Sequence, residues 1–189
     1  VKLWNAATGE PIGTLEHFSA DAARPIAALT FGGKDGKLLA TAGDDAIVKM
    51  WDGAKKSLVD TFPFGTETPT SMALSPDGKF LAIGTGAGAV MVGDLATRKQ
   101  FALVRTHRSF AHTGDVNSLT FAPDSATLFS GGDDRAIVAW NLARLQEDAI
   151  LSGESARVAA LAYGKIDHRI LASVSSDGTL KIWNLDETS

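Results

Sequence analysis

The sequence predicts an all-β protein assembled from a repeated, small, antiparallel sheet of four strands. Three observations lead there. A five-residue phrase ending in tryptophan and an Asn or Asp recurs along the chain, short β-rich runs precede each recurrence in the same order, and Gly, Pro and Asp fill the gaps between them. No stretch carries a competing helical period.

The recurrence sets the frame for everything else. VKLWN ends at Asn5, VKMWD at Asp52, IVAWN at Asn141 and LKIWN at Asn184, while VMVGD ends at Asp94 with Gly93 in the tryptophan position. The steps from Trp4 to Trp51, Gly93, Trp140 and Trp183 are 47, 42, 47 and 43 residues. The best-preserved unit contains VNSLTF (116–121), the turn APDSA (122–126), TLFSG (127–131), the turn GDDR (132–135), AIVAWNL (136–142) and AILSG (149–153). Runs this short, rich in Val, Ile, Leu, Thr and Phe, favour strands. In APDSA and in SPDGK (75–79) the proline presets φ and the aspartate can bond its own backbone, which is the chemistry of a tight turn.

Composition narrows the function classes. The chain has 189 residues, 44% hydrophobic and 21% charged, an ordinary globular balance. Eighteen Lys and Arg stand against 22 Asp and Glu with no basic block, which argues against nucleic acid and against an anionic membrane surface as partners. No apolar run reaches the roughly 18 residues of a membrane span. The absence of cysteine excludes disulfides, thiolate metal sites and a cysteine nucleophile without identifying a compartment. The opening VKLWNAATGE has neither an initiator methionine nor a signal-type run, so the sequence reads as part of a longer chain.

The five anchors, in register over essentially the whole sequence, resemble the WD-repeat β-propellers, whose period is about 40 to 45 residues with a W-D signature. In that family the W-D closes the third strand of a four-stranded blade. The resemblance implies a half blade at 1–16, blade one at 17–65, a degenerate blade two at 66–110, blade three at 111–154, and a blade four at 155–189 without its outer strand. Propellers typically close with about four to eight blades, and the resemblance implies that this chain is part of a larger ring of about seven. The alternative is an eight-bladed ring of two copies, in which EPIGTLE (10–16) of each copy completes the other's blade four.

The resemblance also implies a buried polar tetrad: a histidine before the first strand, Ser or Thr in the second, an aspartate in the second turn, and the tryptophan. Blade three supplies all four as His112, Ser130, Asp134 and Trp140. Blade one supplies Thr41, Asp45 and Trp51, and blade four Ser173, Asp177 and Trp183. Their histidine positions fall on Ala22 and Glu154, and His17 lies five residues too early. Blade two has Ile83, Ala87 and Gly93 in place of the hydroxyl, carboxylate and indole. A serine-hydrolase triad of His112, Ser130 and Asp134 has the right residue types but puts its serine mid-strand and repeats partially along the chain, so a structural role is expected. Asp134→Ala should then cost on the order of 1 to 3 kcal/mol.

Partner binding in the family concentrates on one rim, at the residue before the tetrad aspartate and at two positions entering the first strand. These are Pro25, Ala27 and Asp44; Thr68, Thr70 and Gly86; Asp115, Asn117 and Asp133; and Arg157, Ala159 and Ser176. Blade three is the most polar of the four and is acidic.

Other motifs weaken against the repeat. Gly84-Thr85-Gly86-Ala87-Gly88 could cradle a phosphate, but a strand, AVMVGDL, follows where a dinucleotide site needs a helix, so it reads as a loosened turn. Arg105, His107 and Arg108 form the basic cluster of VRTHRSFAH and read as a solvated connection. His168 has no second histidine at ligand spacing, so neither metal nor cofactor is expected. Two functions compete: a non-catalytic scaffold presenting the rim to protein or peptide partners, and a regulatory or sensory module of a larger enzyme such as a kinase or protease.

Overall fold

The computed structural model describes residues 1–18, 25–64, 67–105, 110–164 and 169–185. The described residues form an all-β structure of several antiparallel sheets, a partial propeller. A hairpin of β1 (Lys2–Trp4) and β2 (Pro11–Thr14) precedes sheet one, made of β3 (Ile26–Gly32), β4 (Leu38–Gly43), β5 (Ile47–Asp52) and β6 (Ser57–Pro63). Sheet two holds β7 (Pro69–Leu74), β8 (Phe80–Thr85), β9 (Val90–Asp94) and β10 (Gln100–Leu103). Sheet three holds β11 (Val116–Phe121), β12 (Thr127–Gly132), β13 (Ile137–Asn141) and β14 (Gln146–Leu151). Sheet four has three strands, β15 (Val158–Tyr163), β16 (Ile170–Ser175) and β17 (Leu180–Asn184).

Two turn chemistries explain the recurring letters. After β1, β5, β9 and β13, the Asn or Asp of the signature accepts the N–H two residues on: Ala7 at 2.9 Å from Asn5, Ala54 at 3.0 Å from Asp52, Ala96 at 2.9 Å from Asp94 and Ala143 at 3.1 Å from Asn141. The residue four positions after each of these has positive φ, at Gly9, Lys56, Arg98 and Leu145. Between second and third strands, Asp45, Asp134 and Asp177 accept the N–H of Ile47, Ala136 and Thr179. These are Asx turns, in which a short carboxylate or amide closes the backbone on itself.

The sheets stack with their first strands adjacent in the order β3, β7, β11, β15. Apolar clusters fill each gap. Val48, Met50, Leu81 and Ile83 lie between sheets one and two; Val90, Leu103, Leu128 and Trp140 lie between two and three; Phe129, Ile137, Leu151 and Leu171 lie between three and four. Covered on both faces, β4, β8 and β12 are buried almost throughout, whereas β17 alternates and leaves Leu180 and Ile182 exposed.

One strand is longer than its letters suggest. Strand β14 starts at Gln146, ahead of the expected AILSG, and carries Glu147 opposite Trp140. The run Gln146-Glu147-Asp148 reads as loop by composition, yet the Glu147 side chain is largely buried beside Arg105.

Candidate functional site

The interior of sheet three brings together the four side chains of the expected tetrad. Nδ1 of His112 lies 2.7 Å from Oδ1 of Asp134, Nε2 lies 2.7 Å from Oγ of Ser130, and the Trp140 indole N–H donates to that same oxygen at 2.8 Å. With the imidazole proton on Nδ1, every group is used: Nε2 accepts the serine O–H, and the serine oxygen accepts the indole. The connectivity is that of a hydrolase triad, but Ser130 and Trp140 are fully buried, and a hydroxyl closed on both sides meets no substrate.

Asp134 also accepts the Thr113 N–H at 3.3 Å and a guanidinium N–H of Arg105 at 3.4 Å. Burial pushes the carboxyl up, but the hydrogen bonds from His112, Thr113 and Ala136 outweigh it and hold Asp134 below the ordinary aspartate range. Arg105 corrects an expectation. Its side chain is only 11% exposed and is clamped between Asp134 and Glu147, so it is a buried ion-pair partner rather than part of a solvated loop. His107 and Arg108 lie outside the described residues.

Sheets one and four keep the indole-to-hydroxyl bond and change the rest. Trp51 donates to Thr41 and Trp183 to Ser173, each at 2.8 Å. In sheet one His17 reaches the site, with Nδ1 2.7 Å from the Thr41 hydroxyl, although it lies five residues earlier than the spacing of blade three puts the histidine. Ala22 lies outside the described residues. Nε2 of His17 is 3.8 Å from Asp45, so that carboxylate serves its turn rather than closing the chain of bonds. Burial holds His17 below the ordinary histidine range, against the opposing pull of Asp45.

In sheet four Glu154 takes the histidine's place and reverses its chemistry. It accepts the hydroxyls of Ser173 and Ser175 and pairs with Lys181 at 3.1 Å. Burial raises its carboxyl, and those donors together bring it below the ordinary glutamate range. Asp177 turns away to Ser155 and Thr179, whose hydroxyls lower it to about 2. Two carboxylates on one hydroxyl would repel, so a buried acid at 154 excludes Asp177 from the interior.

The rim is built by a repeated bulge. Pairing skips one residue between Ile26 and Ala28, Pro69 and Ser71, Val116 and Ser118, and Val158 and Ala160. The skipped residues are Ala27, Thr70, Asn117 and Ala159, four of the rim positions read from the sequence. A bulge removes a residue from the ladder and re-aims its side chain, which is how one rim position recurs in every sheet. Thr70 and Asn117 use that freedom to tie neighbouring sheets, donating to the carbonyls of Val116 at 2.7 Å and Val158 at 2.9 Å. Asn117 also donates to Asp133 at 2.8 Å, so Asp133 is half-buried and engaged rather than simply outward-facing. Asp44, Asp115, Arg157 and Ser176 are exposed.

The family profile described as WD domain, G-beta repeat matches residues 9–52, 103–141 and 146–184. The chain belongs to the WD-repeat family. It is 32% identical over 115 residues to the WD repeat-containing protein WDS homolog of Arabidopsis thaliana, covering 60% of this chain and 22% of that protein. It is 26% identical over 187 residues to Protein HIR1 of Kluyveromyces lactis, covering 82% and 21%. It is 27% identical over 184 residues to the APC/C activator protein CDC20 of Saccharomyces cerevisiae, covering 96% and 28%. The chain thus spans well under half the length of each of these WD-repeat proteins.

The profile leaves out 53–102, the stretch that contains WD-repeat blade two from β7 to β9. That blade is altered but not loose. Its glycine turn closes through Thr85 N–H to the Ala89 carbonyl at 3.0 Å, and Gly88, at φ 82°, accepts the His112 N–H at 2.9 Å. A Cβ on Gly88 would stand 2.1 Å from the His112 carbonyl oxygen, so the glycine is required by close approach and positive φ together. The expectation of a loosened turn is therefore corrected. Sequence reasoning missed His17, Arg105 and Glu147 for a common reason: each acts across a distance in the chain that no fixed spacing encodes.

Proposed function

We propose that this WD-repeat chain is a non-catalytic interaction scaffold that offers its bulged rim to a protein or peptide partner. The repeated bulge carries the reading: four sheets put a side chain at the same edge, beside the turn carboxylates, on a rigid stack. Asp44, Asp115 and Asp133 give that edge a negative sign, and Glu67 adds to it while accepting the Thr85 hydroxyl at 2.6 Å. Charge complementarity then favours a cationic segment and works against nucleic acid. The closed Ser130 hydroxyl supports a fastening role for the four polar side chains rather than a catalytic one. A chain that spans a fraction of its relatives also fits the second reading, a regulatory module of a larger enzyme.

The rim makes a direct prediction. Asp115 and Asp44 are both exposed, so Asp115→Lys combined with Asp44→Lys should weaken capture of a lysine-rich peptide about tenfold, a change of about 1.4 kcal/mol. The melting temperature should stay within about 2 °C of the parent, as surface changes within about 0.5 kcal/mol allow. Peptide titration at two salt concentrations checks the first and a thermal melt the second; unchanged capture would overturn the acidic rim as the contact surface.

A further inference from the structure

Blade two has lost the hydroxyl, the carboxylate and the indole at once, and yet its interior is closed. Ile83, at the hydroxyl position, is 3% exposed, and Gly93 stands at the tryptophan position. The space above Gly93 is already filled: a Cβ there would lie 2.7 Å from Cε2 of Phe64 and 3.6 Å from its Cζ. Phe64 follows the last strand of blade one, is 4% exposed, and shares an apolar cluster with Met50, Met72 and Ile83.

The backbone identifies which slot Phe64 occupies. Its N–H donates to the Ala46 carbonyl at 3.0 Å, just as the His112 N–H donates to the Gly88 carbonyl at 2.9 Å. Ala46 and Gly88 are the positive-φ residues of the same hairpin turn in successive blades. Phe64 therefore begins where His112 begins one blade later, and its ring extends to where the tryptophan would be. We infer that Phe64 is a cross-blade plug, a single aromatic ring that replaces both the histidine and the tryptophan of blade two and fastens it to blade one.

The physics of the exchange is consistent. Removing one partner of a buried polar network leaves the others unsatisfied, whereas replacing all of them with apolar groups of suitable shape can be neutral. A ring supplied from blade one makes the two blades interdependent, and the seam continues outward. Arg98 on blade two forms a two-pronged pair with Asp60 of blade one at 2.7 and 2.8 Å, and its guanidinium sits 6.0 Å from the Phe62 ring. Gln100 adds a bond to the Pro63 carbonyl at 2.8 Å. The β9–β10 pairing is regular at Gly93, whereas the tryptophans at 51 and 140 each coincide with a register shift.

The test is a set of exchanges read by thermal melting and by amide hydrogen exchange. Phe64→Ala should lower the melting temperature by roughly 10 °C and speed exchange in β8 and β9 as well as β5, leaving β12 and β13 protected. Gly93→Trp, which restores the family letter, should also lower it, because the ring's place is taken. The double variant Phe64→Ala with Gly93→Trp should melt above both single variants. If tryptophan at 93 prevents folding, Gly93→Ala with and without Phe64→Leu asks the same question at smaller volume. A Gly93→Trp or Gly93→Ala variant as stable as the parent, or a pair no better than its worse member, would overturn the plug.

Discussion

Asp134→Ala is expected to destabilise the chain by about 3 to 5 kcal/mol, the range for removing one member of a buried ion pair. This exceeds the 1 to 3 kcal/mol expected for an ordinary unsatisfied partner because the structure gives the carboxylate a cation that the sequence did not reveal. Without Asp134, Arg105 keeps Glu147 alone among the described residues, His112 loses its acceptor, and the N–H groups of Thr113 and Ala136 lose theirs. At about 2 to 4 °C per kcal/mol for a chain of this size, the melting temperature should fall by on the order of 10 °C. Asp134→Asn should cost less, since an amide oxygen can still close the turn.

The sign of the pH dependence follows from the direction of the shift. Asp134 is held below the ordinary aspartate range in the folded chain, so its contribution is complete above the unfolded value of about 3.9 and is lost as pH falls through the lower folded value. The gap in melting temperature between parent and Asp134→Ala should therefore be constant from about pH 7 to 5 and narrow below about pH 4. Melting both proteins across that range checks it; a gap that widened in acid would contradict the assigned state of the carboxylate.

Much of the fold was legible because it depends on local chemistry. The Asn or Asp after Trp4, Trp51 and Trp140 closes its own turn, and Asp45, Asp134 and Asp177 close another before the third strand, so the letters that define the repeat also build it. What stayed hidden acts between repeats. Arg105 reaches from the tail of blade two into blade three, Phe64 from blade one into blade two, and His17 arrives by a longer approach than His112. A period records what each unit repeats, and these contacts are what the units do differently. Glu154 shows the same limit from the other side: its position was read correctly as lacking histidine, but only the surrounding Ser173, Ser175 and Lys181 reveal that an acid can serve there.

The four tryptophans give the sharpest separation of motif from environment, because the sequence phrase around them is nearly constant while their surroundings are not. Trp140 is fully buried between blades two and three, Trp51 is 5% exposed, Trp183 is half-buried, and Trp4 is 55% exposed. Trp51, Trp140 and Trp183 each pack toward the strands of the unit before them, so the worth of each depends on that neighbour. Leu15, with Val1 and Leu3 beside it, covers Trp51, and the blade-two residues Val90, Val92 and Leu103 join Trp140 in one cluster. Trp140→Ala should cost about 3 to 5 kcal/mol through the cavity and the donor lost to Ser130, whereas Trp4→Ala should stay within about 0.5 kcal/mol. Denaturant melts of single-tryptophan replacements measure the costs, and acrylamide quenching of the remaining indoles measures their exposure independently. A cost that followed exposure from Trp140 to Trp4 would tie the stabilisation to burial; equal costs would instead tie it to the turn that the signature builds, which Trp4, Trp51 and Trp140 share.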